Sequence, residues 1–178
     1  MVKKILGFLA VIIIVLVIVI SMKPSQFKVT RPILISAPAS TVFAQVNDFH
    51  NWQAWSPWAK LDPNAKAIYE GPAAGEGAIF RWAGNNQVGE GSQTIVETRA
   101  NERILIKLDF LKPFKAVNYS EFTFTPQGNQ TLVIWSMFGK NNFMGKVMSV
   151  FMNCEKMVGG QFEKGLERLK IVSESMAK

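Results

Sequence analysis

The chain has 178 residues, enough for one domain and an appendage, with 48% hydrophobic residues and a formal charge of +7. Its basic residues are scattered, 18 against 13 acidic side chains beyond residue 22, so the dense patch of a nucleic-acid interface is excluded and only a mild attraction to anionic lipid is expected. A single cysteine, Cys154, and a single histidine, His50, exclude a disulfide framework and a His/Cys metal site, and no cofactor is called for.

Ile5 to Met22 forms 18 residues without a charge, preceded by Lys3 and Lys4 and followed by Lys23. A helix of that length just spans a hydrocarbon core of ~30 Å. The run is longer than a signal-peptide core and no small-residue cleavage site follows it, so a retained anchor is predicted over residues 1–22. Positive charges on its two sides are nearly balanced. The short tail is placed inside and the domain outside, on the non-cytoplasmic (periplasmic) side, as for a signal-anchor. Residues 23–26 are a polar linker containing Pro24, and residues 27–178 form the soluble domain.

Phe27 to Ser36 alternates as a strand with Val29, Ile33 and Ile35 on one face. Ala37-Pro38 ends it. Ser36 or Ser40 suits the cap of a short helix continued by Thr41 to Asn47. A second short helix is predicted over His50 to Trp55, ended by Pro57. Six strands follow: Lys66 to Glu70, Gly77 to Trp82, Val88 to Thr98, Arg103 to Phe110, Phe114 to Thr125 and Gln130 to Phe138. Turn signals separate them, among them Gly84-Asn85-Asn86 and Pro126-Gln127-Gly128-Asn129. From Phe143 to Val172 no proline occurs, and Val147, Phe151, Val158, Phe162, Leu166 and Leu169 recur at helical spacing. Glu155 falls on that stripe, and Gly159-Gly160 sits mid-helix at a cost of about 1 kcal/mol per glycine relative to alanine. Strands joined by short turns imply an antiparallel sheet with helices to one side, an α+β architecture.

The order of elements and several local motifs resemble the START-like superfamily, also called SRPBCC, in its polyketide-cyclase/dehydrase-like branch. Ile35-Ser36-Ala37-Pro38-Ala39 with Val42-Phe43 and Asp48-Phe49 resembles the entry segment. Trp52-Gln53-Ala54-Trp55-Ser56-Pro57-Trp58 resembles the second-helix motif. Tyr69-Glu70-Gly71-Pro72, Gly75-Glu76-Gly77-Ala78, Trp82-Ala83-Gly84-Asn85 and Val88-Gly89-Glu90-Gly91 resemble the glycine-rich hairpins. Gly159, Phe162, Gly165-Leu166 and Leu169-Lys170 resemble the closing helix. The likeness covers Val29 to about Val172. It implies a helix-grip fold: a curved antiparallel sheet of about seven strands wrapped on a long C-terminal helix, with two short helices after the first strand and an internal cavity.

On that fold the inward faces supply a lining of Phe80, Trp82, Ile106, Leu108, Phe110, Phe122, Phe151 and Phe162, joined by Trp135, Met137, Tyr119 and Met152. Trp55 and Trp58 either pack in the core or line the mouth. Glu155 is either a polar anchor or general acid in the cavity, or a rim residue reaching water. His50, beside Asp48 and with no nucleophile motif near it, reads as a surface or structural residue. The glycines open strands rather than a helix and no Gly-Lys-Ser/Thr follows, so they form turns and not a phosphate loop. Fold does not fix function, and three classes stay open. They are a membrane-anchored domain binding a lipid- or isoprenoid-like molecule, a cyclase/dehydrase-type enzyme using Glu155 or Tyr119 as acid–base groups, and a cell-envelope protein-interaction module.

Overall fold

The computed structural model describes residues 2–141, 145–147, 150 and 153–177. Helix α1 (Val2–Ser21) is long and apolar enough to cross a membrane, and of its described side chains only Ile20 is buried. Four residues connect it to β1 (Gln26–Ile35). Helix α2 (Ala39–Asn47) follows, then a single 3-10 turn (Phe49–Asn51), the one-turn α3 (Trp52–Trp55) and a further 3-10 turn (Trp58–Lys60). The remaining strands are β2 (Lys66–Glu70), β3 (Ile79–Ala83), β4 (Glu90–Arg99), β5 (Arg103–Lys112), β6 (Ala116–Gln127) and β7 (Gln130–Lys140), and the chain closes with α4 (Cys154–Met176).

The seven strands form one antiparallel sheet in the order β1-β7-β6-β5-β4-β3-β2. Consecutive strands are joined as hairpins from β2 to β7, and β1 closes the far edge against β7. Side chains alternate across each strand. The inward series of β5 is Ile104, Ile106, Leu108 and Phe110, as the alternation predicts. Helix α4 lies against β1, α2 and α3. At one end of the sheet its Leu166 and Leu169 meet Ile35, Val133, Phe124, Ile104, Ile95 and the α2 residues Val42 and Val46 in a solid core. At the other end, where Gln26 pairs with Lys140 and Gly91 with Phe110, the helix stands over a cavity.

Three local expectations change. The run from Phe143 to Val172 is not one helix, because Asn153 leaves the helical region (φ −81°, ψ 86°) and its side chain accepts from the Lys156 amide. Asparagine is among the best N-cap residues, and apolar periodicity passes over a cap. Helix α4 therefore starts at Cys154 and runs past Val172 to Met176, while Phe143, Phe151 and Met152 lie outside the described residues. Helix α2 is entered through Pro38 without a side-chain cap, and the Ser36 hydroxyl instead accepts from Gln130 Nε2. The second short helix is split by the Asp48 carboxylate, which accepts from the His50 amide and tightens the first turn.

Candidate ligand cavity

The cavity has a volume of about 470 Å³ and is partly open to solvent. Its walls come from strand alternation at one end of the sheet: Phe80 and Trp82 from β3, Leu108 and Phe110 from β5, Trp135 and Met137 from β7. Val158 and Phe162 of α4 close one side, and Trp52, Trp58 and Ala59 another. Two glycines permit the close contacts. A side chain at Gly91 would lie 2.7 Å from the Trp82 ring, so that ring lies across β4. A side chain at Gly165 would lie 2.8 Å from Trp135 and 3.0 Å from Pro57. Trp135 stacks flat on Phe162 (centroids 3.9 Å, 8°) and on Phe122 (4.7 Å). These faces make a rigid aromatic floor.

Few polar groups interrupt this lining. Trp82 donates to the Val88 carbonyl at 3.0 Å, and Trp135 Nε1 donates to Ser120 Oγ at 2.8 Å, which leaves the Ser120 hydroxyl proton free to point at a ligand. Gln93 sits mid-wall, paired across the sheet with Phe80 on one side and Leu108 on the other. It is buried at 7% exposure, and its carboxamide has no hydrogen-bond partner among the described residues. Gln53 and Lys66 are exposed lining residues that mark the mouth. Asp62, also at the mouth, accepts from the backbone amides of Asn64 and Asn85 and so pins the loop before β2 to the β3–β4 turn.

Of the residues the sequence nominated, Phe80, Trp82, Leu108, Phe110, Trp135 and Phe162 meet around this cavity, with Met137 and Trp58. Trp55, Ile106 and Phe122 are fully buried in the solid core beside it. Both Ile106 and Phe122 are on the predicted inward faces, each two residues further from the open end than the lining residue of its strand, Leu108 or Ser120. The Trp55 indole donates to the Gln45 carbonyl, which fixes it under α2. Tyr119 is on the outer face of the sheet, stacked on Phe138 (6.0 Å), because β6 turns Asn118 and Ser120 inward. Phe151 lies outside the described residues. His50 stacks on Tyr69 (4.2 Å) and its Nδ1 meets Asp48 at 2.7 Å, away from the cavity.

Glu155 does not enter the cavity. It lies in the first turn of α4, where a carboxylate suits the helix dipole, and meets Arg31 Nη1 at 2.7 Å. Arg31 also donates through Nε to Glu163 at 2.5 Å, so one guanidinium bridges two carboxylates two turns apart. The Arg31 pKa is raised by its hydrogen bonds to Glu155 and then Glu163. Gly159 lies between the two acids, and any side chain there would collide with the Arg31 guanidinium. The stripe position of Glu155 thus belongs to a latch between β1 and α4. Apolar periodicity, which locates a lining, discards polar residues and so passes over Gln93 and Ser120; their alternation with Ile95 and Phe122 is the sequence signal that marks them. No cluster of three or more His, Cys, Asp or Glu able to hold a metal occurs among the described residues.

A family model described as polyketide cyclase / dehydrase and lipid transport matches residues 26–174, the whole of the sheet and nearly all of α4. Solved structures share the fold at low identity. A protein from Thermobifida fusca is 19% identical with a TM-score of 0.62, covering 83% of this chain and 93% of its own. One from Mesorhizobium loti is 13% identical with a TM-score of 0.61, covering 84% and 98%. The di-domain ARO/CYC StfQ from the steffimycin biosynthetic pathway is 10% identical with a TM-score of 0.61, covering 85% of this chain and 52% of that one. No curated protein matches the sequence.

Proposed function

The chain belongs to the polyketide cyclase / dehydrase and lipid transport family, and on that premise we propose that it is a membrane-anchored domain holding a hydrophobic, lipid- or isoprenoid-like molecule under α4. The cavity carries this reading. Its volume falls within the ~300–1,000 Å³ of small-molecule sites, and its walls are mainly aromatic and aliphatic. Gln93 on β4 and Ser120 on β6 offer an amphiphile two separate polar contacts in a mainly apolar wall. Helix α1 would keep the domain at the surface of a bilayer, its source of ligand, on the non-cytoplasmic side.

The enzyme reading has less support. Tyr119 and Glu155, the groups the sequence offers for acid–base work, both stand outside the cavity. Asp62, the carboxylate that lines it among the described residues, is engaged by two backbone amides. General acid–base catalysis needs a group within hydrogen-bond reach of the reacting atom.

The test is ligand retention by the full chain purified in mild detergent, read by native mass spectrometry and by extraction into organic solvent. Wild type is expected to carry a hydrophobic molecule, and Leu108→Trp and Met137→Trp, which fill the cavity from two different strands of the sheet wall, to lose most of it while still unfolding cooperatively. Equal ligand in the filled variants, or none in wild type after incubation with lipid vesicles, overturns the proposal.

A further inference from the structure

The end of the sheet that holds the cavity also differs on its outer surface. The β5–β6 hairpin turns through Pro113 and Phe114 and leaves Leu111, Phe114 and Val117 exposed at 48%, 45% and 51%. Leu111 and Val117 are on the outer face, since Phe110 and Asn118 beside them turn inward. Behind them, on the same face, lies the Tyr119–Phe138 stack, flanked on β5 by the Lys107–Asp109 ion pair. The turns at the opposite end are polar: Asn101-Glu102 between β4 and β5, Gly128-Asn129 between β6 and β7. Hairpin tips facing water ordinarily take such residues, so the apolar tip needs a cover.

Register fixes where this tip stands. Asn118 pairs with Gly139, and the next residue of β7, Lys140, pairs with Gln26. Val117 is therefore two strand spacings from the start of β1, about 10 Å. Gln26 is joined to the end of α1 by four residues, a reach of no more than about 18 Å. The charge at the tip is mainly basic, its two nearby acids, Glu90 and Asp109, each being paired with a lysine. Lys112 and Lys115 flank Phe114, with Lys140 and Lys23 nearby; Lys112 pairs with Glu90, and Lys115 and Lys140 have no ion pair among the described residues.

We propose that the β5–β6 tip docks on the bilayer that α1 spans, with Leu111, Phe114 and Val117 entering the boundary between headgroups and acyl chains. Lysines around an apolar wedge fit anionic headgroups, whereas a two-fold contact with a second copy would set Lys112 and Lys115 against their own kind. The docking turns the cavity end toward the membrane. The β3–β4 turn at the cavity rim packs at Gly89 against Lys112 and Pro113, so insertion of the tip acts directly on the rim. A hydrophobic molecule then passes between bilayer and cavity with little exposure to water. This inference rests on the reading of α1 as a retained anchor.

The experiment uses the full chain in vesicles of three parts phosphatidylcholine to one part phosphatidylglycerol. The fluorescent residue acridonylalanine replaces Ile13, Phe114 or Gln127, one at a time. Quenching by brominated acyl chains reports lipid, and quenching by iodide reports water. Residues 13 and 114 are expected to be lipid-quenched, with residue 114 roughly several-fold above residue 127, which should follow iodide. Leu111→Ser with Val117→Ser should then abolish lipid quenching at 114 and leave it intact at 13. If 13 is lipid-quenched and 114 follows 127, the docking is wrong and the anchor stands. Shielding of 114 from both quenchers points to a protein contact and also overturns it. If 13 is not lipid-quenched, the anchor reading falls and the docking with it.

Discussion

Gln93 is the position where folding and binding should pull in opposite directions. The residue is only 7% exposed between Phe80 and Leu108, and its carboxamide faces the cavity, in reach of water there, with no protein hydrogen bond among the described residues. Leucine has similar volume and nothing to satisfy. A buried polar group without a partner costs ~1–3 kcal/mol, and the lower figure applies because water entering an open cavity still reaches the amide. Gln93→Leu in the delipidated full chain should therefore gain about 1 kcal/mol, a rise of roughly 2–4 °C in Tm for a domain of this size. The same substitution removes a hydrogen bond to a polar ligand head, worth about 0.5–1.5 kcal/mol. Retention should weaken by about two- to tenfold. The assays are thermal unfolding followed by tryptophan fluorescence, and extraction of bound ligand from equal amounts of protein. A lower Tm with unchanged ligand would refute the reasoning, because Gln93 would then be part of the structure and no foothold.

Two further predictions concern the latch helix and the sheet. At Gly160 a side chain would meet nothing within 4 Å, so Gly160→Ala should stabilise by about 0.5–1 kcal/mol, the ordinary gain in helix propensity. Gly165→Ala drives a methyl onto Trp135 and Pro57 and should cost about 1–3 kcal/mol; the sign difference, read by thermal unfolding, fails if both substitutions act alike. The Glu97 carboxyl is held below the usual carboxylate range by its hydrogen bond from Arg103. That stabilisation is present above a pH of about 4.3 and is lost as pH falls through the depressed folded value. Arg103→Met should thus unfold at lower temperature near neutral pH, with the gap to wild type closing in acid. A gap that persists at pH well below the carboxylate range would show that Glu97 is not its source.

Strand alternation made the sheet legible. On β5 the alternation separates Ile104, Ile106, Leu108 and Phe110 from their neighbours, and all four turn inward. It could not say which pairs fill a core and which line a space, since both environments select apolar side chains. Nor could it follow polar residues that face inward. Asn118, Ser120 and Gln93 are buried on inward positions, and a reading keyed to hydrophobicity passes over them. Glu155 failed for a related reason. Its spacing from Phe151 and Val158 puts it near the stripe, but the helix starts only one residue earlier, and Arg31, distant in sequence, claims it. A partner across 124 positions of chain leaves no local signal.

What decides core or cavity is the helix facing the sheet. Over the closed end α4 presents Leu166 and Leu169, both buried, and these reach into the space above Ile104 and Val133. Toward its start the same face carries Phe162, Gly159 and Val158. Phe162 lies flat on Trp135 and so spends its volume on the floor. Gly159 has no side chain, and Arg31 occupies the space beside it while turning its charge to the two acids outside. Val158 is left as a short side chain over Leu108, Phe110 and Met137. The sheet keeps its apolar face to the end of its strands while the helix thins, and the unfilled difference is the cavity. Interiors normally pack at the density of organic crystals, so this space depends on a stiff frame. The aromatic stack below and the Arg31 latch at the side are what stop α4 from settling onto the strands.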